Sequence, residues 1–259
     1  MTPVAVITGA SAGIGAELAR VFARHGHALV LVARRAERLE ALAAEIAATG
    51  APAPLVLAFD LAEPGAASRI RQALDAQGLA AQYIVNNAGF GLIGRVTALD
   101  RAELLGMVDV NIRALTDLSL VFLDSLVRQR GGVLNVGSVA GFVPGPSSAI
   151  YYASKAYVVS FSEALHYELR RKGVRVTVLC PGPVATEFQA RAGIPELKIP
   201  WFLDVSAARV AEIGYRGLMR GRRVVVAGVG NNVLVALLRL LPNSLLLGMV
   251  EARQRGRRS

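Results

Sequence analysis

Short apolar segments recur along the chain and predict strands. Val, Ile and Leu dominate these segments, and polar residues do not alternate with apolar ones inside them. A strand that is apolar on both faces is typical of a parallel sheet covered by helices on both sides. The strand candidates are residues 4–8, 28–33, 54–60, 83–86, 132–138, 175–182 and 222–228. The pattern therefore predicts a parallel sheet of about seven strands.

Longer amphipathic segments separate the strand candidates and predict helices. Residues 16–26 and 36–50 each end in a glycine, which suits the left-handed cap of a helix. Residues 108–122 read as one long helix whose apolar face contains Asn111, a residue that is costly there unless its amide finds partners. Right-handed crossovers place helices on both faces of the sheet. We therefore predict an α/β fold, a single domain over residues 1–259 with a doubly wound parallel sheet.

The composition agrees with one globular unit and places the excess charge at its end. The 259 residues are 53% hydrophobic and 19% charged, with a formal net charge of +10. Residues 1–212 contain 20 basic and 18 acidic side chains, whereas residues 213–259 contain 9 and 1. The last arginines are Arg253, Arg255, Arg257 and Arg258. They could contact nucleic acid or an anionic membrane surface, but we favour a soluble tail and do not expect nucleic acid as a partner.

The single cysteine and the first residues narrow the class of protein further. Cys180 has no second cysteine with which to form an intrachain disulfide or a cysteine metal site, so we expect a packed thiol and no metal. The apolar run that begins at Val4 is too short for a cleavable signal segment. We therefore expect a cytoplasmic protein.

A glycine-rich loop follows the first strand candidate, at the carboxyl edge where parallel α/β sheets bind ligands. Gly9, Gly13 and Gly15 permit a tight turn and a close approach of the backbone. The helix that follows offers unpaired N–H groups to an anion. Because the loop lies between a predicted strand and a predicted helix, it predicts a phosphate site for a dinucleotide, with an ordinary glycine-rich turn as the alternative.

Two arginines follow the second strand candidate and indicate which dinucleotide binds. Arg34 lies 19 positions after Gly15, and Arg35 follows it. The first acidic residue after this strand candidate is Glu37. A carboxylate at this position binds the ribose 2′-hydroxyl of NAD, whereas a guanidinium pairs with the 2′-phosphate of NADP. We therefore predict NADP(H), the alternative being that both arginines are solvated residues of the next helix.

A tyrosine and a lysine in a predicted helix are candidates for proton transfer. Tyr151 and Lys155 are four positions apart and share one helix face, whereas Tyr152 points about 100° away and is expected only to pack. A nearby ammonium, like the positive charge of an oxidised nicotinamide, favours the phenolate and lowers the pKa of the phenol. Ser138 ends the fifth strand candidate, and its hydroxyl can hold a substrate oxygen. We expect Tyr151 to transfer a proton while a cofactor transfers hydride.

These motifs together resemble the short-chain dehydrogenase/reductase family over roughly residues 4–187. The resemblance rests on Thr8-Gly9-x-x-x-Gly13-x-Gly15, on Asn86-Asn87-Ala88-Gly89, and on Ser138 with Tyr151 and Lys155. It implies a Rossmann-like fold and a catalytic tetrad of Asn111, Ser138, Tyr151 and Lys155. In this resemblance Asn111 holds a backbone kink and a water that leads to Lys155.

The same resemblance implies where the dinucleotide binds. The pyrophosphate would lie on the glycine-rich loop, the adenine beside residues 60–61, the adenosine ribose along residues 87–89 and the nicotinamide beside residues 181–186. The implied cofactor-binding residues are Gly9, Ser11, Gly13, Ile14, Gly15, Arg34, Arg35, Asp60, Leu61, Asn87, Ala88, Gly89, Tyr151, Lys155, Pro181, Gly182, Val184 and Thr186. Family members commonly pair through helices near residues 101–130 and 151–172, which implies a homodimer or homotetramer.

Two later segments are expected to shape the substrate site. Residues 187–222 correspond to the variable substrate lid of the family, and up to about Asp204 the chain is expected to be irregular because Gly193, Pro195 and Pro200 interrupt helices. The aromatic residues Phe188, Trp201 and Phe202 are expected to form an apolar pocket with Phe90 and Val143, with ordinary core packing as an equal alternative for each of them.

The last segment, residues 229–259, is an apolar extension with a basic tail. Arg239 and Pro242 divide it into pieces that are too short to span a bilayer. Three interpretations remain open, in order of preference: a helix that covers the substrate pocket, an oligomer contact, and a peripheral membrane anchor.

The sequence thus predicts an NADP(H)-dependent oxidoreductase that acts on a ketone, an aldehyde or a secondary alcohol. An apolar substrate is expected, with acyl-chain-like and sterol-like compounds as candidates. Two alternatives stay open: a membrane-peripheral lipid ketoreductase, and a dinucleotide-binding regulatory protein without turnover.

Overall fold

Seven parallel strands form one sheet in the computed structural model, which describes residues 1–193 and 199–255. The strand order is β3-β2-β1-β4-β5-β6-β7. The strands are β1 (Thr2–Thr8), β2 (Ala28–Ala33), β3 (Leu55–Ala58), β4 (Leu79–Asn86), β5 (Gly132–Val136), β6 (Arg175–Cys180) and β7 (Val224–Val226). The predicted α/β fold with a doubly wound parallel sheet is confirmed.

Helices cover both faces of this sheet. They are α1 (Gly13–Arg24), α2 (Ala36–Ala48), α3 (Ala66–Ala76), α4 (Arg101–Val108), α5 (Leu115–Val121), α6 (Leu123–Arg128), α7 (Ala149–Leu169), α8 (Glu187–Arg191), α9 (Ala207–Met219), α10 (Val229–Leu238) and α11 (Asn243–Arg255). Helices α1, α2 and α9 pack on one face, and α3, α5, α6 and α7 on the other.

Burial on both faces explains why the strands lack polar alternation. Along β1, Ile7 points into one core and Val6 into the other, and both are fully buried. The first core lies under α1, where Phe22 is also fully buried. The second lies under α3, where Ile70 has the same environment. At every position of such a strand, burial of an apolar side chain stabilises the folded state.

The strand order reverses between β1 and β4, which opens a crevice at their carboxyl ends. Side chains and backbone tie the two strand ends together there. The Thr8 hydroxyl donates to the Val85 carbonyl at 3.1 Å, and the Asn87 amide nitrogen donates to the Thr8 carbonyl at 3.0 Å. The loops after β1 and β4 therefore hold a fixed position at the crevice.

Helix α7 begins at Ala149 and contains Tyr151, Tyr152 and Lys155, as predicted. Two other elements begin earlier than the sequence pattern indicates. Helix α1 begins at Gly13 and takes up two glycines of the loop. Strand β4 begins at Leu79, where Ala80 is buried but contributes little hydrophobic signal.

The long helix predicted over residues 108–122 is present up to Val121, but its middle part is π-helical rather than α-helical. Helix α4 ends at Val108, the segment Asp109–Ala114 is π-helical, and α5 begins at Leu115. A π-helical turn inserts one residue into the helix, and such turns are frequent at functional sites. Asn111 lies in the inserted turn, and its side chain bonds outside the helix.

The prediction that residues 187–204 are irregular is wrong at its start, because α8 occupies Glu187–Arg191. Thr186 caps this helix and forms a capping box with Gln189.

Within the described ranges, no helix has both the length and the apolar content that a membrane span requires. The side chains of Arg253 and Arg255, and the whole of Pro195, Arg257 and Arg258, lie outside the described part of the chain.

Candidate active site

A cavity of about 1100 Å³ lies at the carboxyl edge of the sheet. It passes the ends of six strands, from β3 and β2 at one side to β6 at the other. All the predicted catalytic and cofactor-binding residues line it except Gly15 and Asn111. Those in its wall are Gly9, Ser11, Gly13, Ile14, Arg34, Arg35, Asp60, Leu61, Asn87, Ala88, Gly89, Ser138, Tyr151, Lys155, Pro181, Gly182, Val184 and Thr186.

The glycine-rich loop turns tightly at the start of α1. Gly9 and Gly13 have φ angles of 65° and 55°, which favour glycine because they lie in the left-handed region. A Cβ on Gly13 would lie 3.1 Å from Cγ2 of Thr186, so the loop after β6 packs directly on this turn. No side chain in the described part of the chain caps α1 at Ala12. The first N–H groups of α1 are thus available to an anion.

Gly15 has a packing role rather than a place in the cavity wall. A Cβ at this position would overlap with the carbonyl oxygen of Gly9 and with the side-chain amide of Asn87. Asn87 in turn donates to the Gly9 carbonyl at 3.2 Å. Gly15 therefore allows the start of α1 to lie against the loop after β4.

Three arginines lie at the end of the cavity near β2 and α2. Arg35 contacts the Ser11 hydroxyl through Nε at 3.3 Å and Nη2 at 3.1 Å. Its Nη1 donates to the Glu187 carboxylate at 2.8 Å, and Arg38 bonds the other oxygen of the same carboxylate. Arg34 lies 3.8 Å from the Asp60 carboxylate. This end of the cavity therefore carries three guanidinium groups, and Glu187 connects two of them to α8.

The remaining predicted wall comes from the ends of β3, β4 and β6. Asp60 accepts from the backbone of Ala62 at 2.9 Å, a turn contact that leaves its other oxygen toward Arg34. Gly182 lies against Asn231 of α10, which is fully buried and donates to the Ala227 carbonyl at 2.8 Å. The C-terminal helices therefore support the segment after β6 from behind.

Tyr151 and Ser138 meet in the centre of the cavity wall. Ser138 follows β5, and its hydroxyl accepts from the Ala140 backbone at 3.1 Å. Tyr151, in the first turn of α7, lies beside Ser138 in the cavity wall. Burial raises the pKa of Tyr151 to about 12, and the neighbouring Ser138 hydroxyl opposes this rise. At neutral pH the phenol is therefore protonated.

Lys155 lies one turn after Tyr151 and is almost completely buried, with 6% of its surface exposed. Its Nζ donates to the Val136 carbonyl at 2.9 Å and lies 5.9 Å from the centroid of the Tyr151 ring. Burial lowers the pKa of Lys155 to about 8. The pKa of Tyr151 is thus raised in the protein alone, whereas we expected Lys155 to lower it, because burial of the phenol is the largest influence on this pKa.

Asn111 stands behind the cavity wall and holds the loop after β4. Its Oδ1 accepts from the Phe90 nitrogen at 3.1 Å, and its Nδ2 donates to the Phe90 carbonyl at 2.9 Å and to Ser154 at 3.1 Å. A Cβ on Gly89 would lie 2.9 Å from the Asn111 Oδ1 and 3.6 Å from the Lys155 Nζ. Both polar atoms therefore face the small space beside Gly89.

The other end of the cavity is apolar. Phe90, Val143 and Phe188 line it as predicted, and the Phe188 ring lies 5.5 Å from the Tyr151 ring. Trp201 and Phe202 do not line it, which corrects the prediction. They are 88% and 54% exposed and contact each other edge to face.

Leucines of the C-terminal helices take the place predicted for those two aromatic residues. The wall residues from this region are Leu203, Leu234, Leu238, Leu246, Met249 and Val250. The sequence pattern marked α10 and α11 as apolar but not which of their faces meets the cavity. That choice depends on the packing of Asn231 against Gly182.

Two wall residues, Tyr152 and Glu187, were given too small a role, and Ser154, which is buried and bonded to Asn111 outside the wall, was missed. Tyr152 lines the cavity in addition to packing against Gly145, so it is not a packing residue alone. Glu187 was treated only as the start of an irregular segment, and Ser154 had no signal beyond its place beside Lys155. The spacing of acids and arginines across 152 positions cannot reveal a contact such as that between Arg35 and Glu187.

The donor groups of the cavity fit a nicotinamide dinucleotide. Guanidinium groups lie at one end, open backbone N–H groups at the α1 turn, and a buried ammonium beside a phenol at the centre. In the described part of the chain, no cluster of histidine, cysteine and acidic side chains could hold a metal ion. Cys180 is a buried free thiol whose pKa is raised to about 12 by burial.

Comparison with known proteins agrees with this geometry. Residues 3–196 match the model of the short chain dehydrogenase family. Sulfoacetaldehyde reductase of Chromohalobacter salexigens is 38% identical over 73% of this chain and 75% of its own length. A short-chain dehydrogenase from Sphingobium yanoikuyae, solved in complex with NADPH, is 31% identical with a TM-score of 0.80, covering 93% and 97% of the two chains.

A further solved structure is complexed with a different dinucleotide. The 3-ketoacyl-(acyl-carrier-protein) reductase from Brucella melitensis, complexed with NADH, is 26% identical with a TM-score of 0.75, covering 88% of this chain and 96% of its own. The matched residues 3–196 include the glycine-rich loop, Ser138, Tyr151 and Lys155. With three quarters of its length matched to the family model, this chain belongs to the short chain dehydrogenase family.

Proposed function

We propose that the protein is an NADP(H)-dependent oxidoreductase that interconverts a carbonyl compound and a secondary or primary alcohol, with Tyr151 as general acid and base. One observation carries the proposal. Tyr151 and Ser138 lie together in the wall of a cavity of about 1100 Å³, and the buried Lys155 lies one helical turn after Tyr151. Buried groups with perturbed pKa values in a cleft are typical of catalytic sites.

The side chains divide the work around the substrate oxygen. The Ser138 hydroxyl holds that oxygen, and the Tyr151 hydroxyl donates its proton to it in reduction or removes a proton from it in oxidation. Lys155 keeps a cation near the phenol, and Asn111 positions the loop that carries Gly89 and Phe90. A bound nicotinamide dinucleotide supplies or accepts the hydride.

The arginine end of the cavity supports NADP(H) rather than NAD(H). Arg34 and Arg35 lie where a 2′-phosphate would be expected, and β2 ends without an acidic residue. Similar structures contain either NADPH or NADH, so the family alone leaves the choice open. A kcat/KM for NADPH above that for NADH is the expected result, and a preference for NADH would overturn this part of the proposal.

The apolar end supports an apolar substrate. Phe90, Val143 and Phe188 face leucines of α10 and α11 around the catalytic tyrosine. Sulfoacetaldehyde reductase and 3-ketoacyl-(acyl-carrier-protein) reductase are reductases of carbonyl compounds by name, in accord with this reaction class. We infer that residues 187–222 and 229–259 act as the substrate lid and as a pocket wall.

Replacing Tyr151 tests the catalytic assignment. In Tyr151→Phe, turnover of a reactive ketone with NADPH should fall by about 10²-fold or more, because the proton donor is lost. The dissociation constant for NADPH should change little. Tyr152→Phe is the matched control and should retain turnover within about threefold, because this hydroxyl is not assigned a proton-transfer role.

Retained turnover in Tyr151→Phe would contradict the assignment. Absence of turnover in the unmodified protein over a panel of ketones and aldehydes of graded chain length, together with NADPH binding, would favour a dinucleotide-binding regulatory protein. The panel thus separates an enzyme from a binding protein and also identifies the substrate class.

A membrane-peripheral lipid ketoreductase is the second candidate function. Exposed apolar side chains on and after α10 favour it, notably Val229 at 83% and Leu240 at 80% exposure. Cosedimentation of the full chain with anionic vesicles but not with neutral ones would support it. A homodimer or homotetramer and a cytoplasmic location stay predictions, which light scattering and cell fractionation would test.

A further inference from the structure

The carboxylate of Glu187, the first residue of α8, forms ion pairs with two arginines at the end of the cavity. Glu187 Oε2 accepts from Arg35 Nη1 at 2.8 Å, and its Oε1 accepts from Arg38 Nη1. Arg35 directly precedes α2, and Arg38 lies in its first turn. Glu187 is the first residue of α8 and lies 152 positions after Arg35. The contact therefore crosses the cavity from the loop after β6 to the loop after β2.

The position of this contact coincides with the site proposed for a 2′-phosphate. Arg35 also holds the Ser11 hydroxyl of the glycine-rich loop, and both residues line the cavity together with Glu187. Arg34 faces the same cavity but lies 3.8 Å from Asp60, so its pairing with that carboxylate is weak. Glu187 is thus the anion nearest to the Arg35 and Arg38 donors.

Glu187 already uses part of the charge and of the donors that a 2′-phosphate would need. Arg35 bonds Glu187 through Nη1 and Ser11 through Nε and Nη2, which leaves two of its five N–H donors open. A phosphate needs the same charge-assisted bonds, and a carboxylate held within a few ångströms of it repels it. The three side chains are about half exposed, so exchange of one anion for the other requires no opening of the core.

We propose that Glu187 and the 2′-phosphate of NADP(H) compete for Arg35 and Arg38, so that Glu187 limits the affinity for NADP(H) and is a specificity determinant. The inference rests on the proposed use of NADP(H). Glu187 acts here as an internal anion that the dinucleotide displaces. Its removal would therefore tighten binding of the 2′-phosphate rather than weaken it.

The test uses two ligands that differ only in the 2′-phosphate, adenosine 2′,5′-bisphosphate and adenosine 5′-monophosphate. Isothermal titration of the full chain gives a dissociation constant for each ligand without any turnover. In Glu187→Gln, the constant for the bisphosphate should fall roughly three- to tenfold because a competing and repelling charge is lost. The constant for the monophosphate should change less than about twofold.

Glu45→Gln is the matched control. Glu45 lies on α2, the helix that also contains Arg38, and it pairs with Arg20 at 2.7 Å. The variant therefore removes one negative charge from α2 without changing a residue of the cavity wall. It should leave both dissociation constants within about twofold of the unmodified protein. An equal gain in both variants would assign the effect to net charge and overturn the competition.

The outcomes separate this inference from the proposed cofactor preference. If the unmodified protein binds the two ligands equally, the proposed preference for NADP(H) fails. If it prefers the bisphosphate but Glu187→Gln leaves that preference unchanged, only the competition fails. Weaker bisphosphate binding in Glu187→Gln would show that Glu187 holds the arginines in position and would also overturn the competition.

Discussion

Lys155 shows how one side chain combines a structural cost with a chemical role. It is almost completely buried, its ammonium bonds the Val136 carbonyl, and burial lowers its pKa to about 8. An aliphatic residue would satisfy the packing at a lower cost of desolvation. A lysine at this position is therefore explained by the chemistry proposed for Tyr151 rather than by stability.

Lys155→Met should change how stability depends on pH. The unfolded lysine has a pKa near 10.5 and the folded one near 8, so the unfolded state binds more protons between these values. The free energy of unfolding of the unmodified protein should rise relative to that of the variant by about 1–3 kcal/mol from pH 8 to pH 10.5. Urea denaturation of both proteins at several pH values would measure this. Parallel curves would show that Lys155 does not titrate as its burial indicates.

The first turn of α1 illustrates how an element depends on a neighbour that is distant in sequence. Gly15 lies under the Gly9 carbonyl and the Asn87 side chain, so α1, β1 and the loop after β4 meet with no room for a Cβ. The π-helical turn at Asp109–Ala114 has a similar origin, because Asn111 bonds the Phe90 backbone on another loop. In both places a contact between elements determines the local backbone.

Gly15→Ala should therefore be strongly destabilising. The added methyl group must displace the Gly9 carbonyl or Asn87, and we expect the free energy of unfolding to fall by about 2 kcal/mol or more. Gly248→Ala in α11 is the control, since a Cβ there meets no atom within 4 Å. That variant should be neutral or more stable by up to about 1 kcal/mol, because alanine favours a helix. Similar losses in both variants, measured by urea denaturation, would contradict the packing role of Gly15.

At the scale of the whole molecule, the cavity joins two parts of the chain. The sheet edge supplies the polar wall, and α10 and α11 supply leucines to the apolar end. The same helices also expose apolar side chains outward, including Leu237 at 57%. The C-terminal region thus has one face toward the substrate site and one face toward the surroundings.

Adjacent leucines of α10 allow the two faces to be tested separately. Leu238 lines the cavity, whereas Leu237 is exposed. Leu238→Ser should raise the KM of the longest active ketones roughly three- to tenfold, because burial of apolar substrate surface is lost. Leu237→Ser should leave KM within about twofold. An equal effect of both variants would contradict the assignment of α10 as a pocket wall.

The parallel α/β fold and most of the polar wall of the cavity could be predicted from the sequence. Both depend on local patterns: strands buried on two faces must be apolar throughout, and the glycine-rich turn, Ser138 and the pair Tyr151 and Lys155 follow from short spacings. Only the tertiary structure decided the raised pKa of Tyr151, the inward face of α10, the exposure of Trp201 and the contact of Glu187 with Arg35. Burial, desolvation and ion pairing across 152 positions depend on which surfaces meet, and no local pattern of residues contains that information.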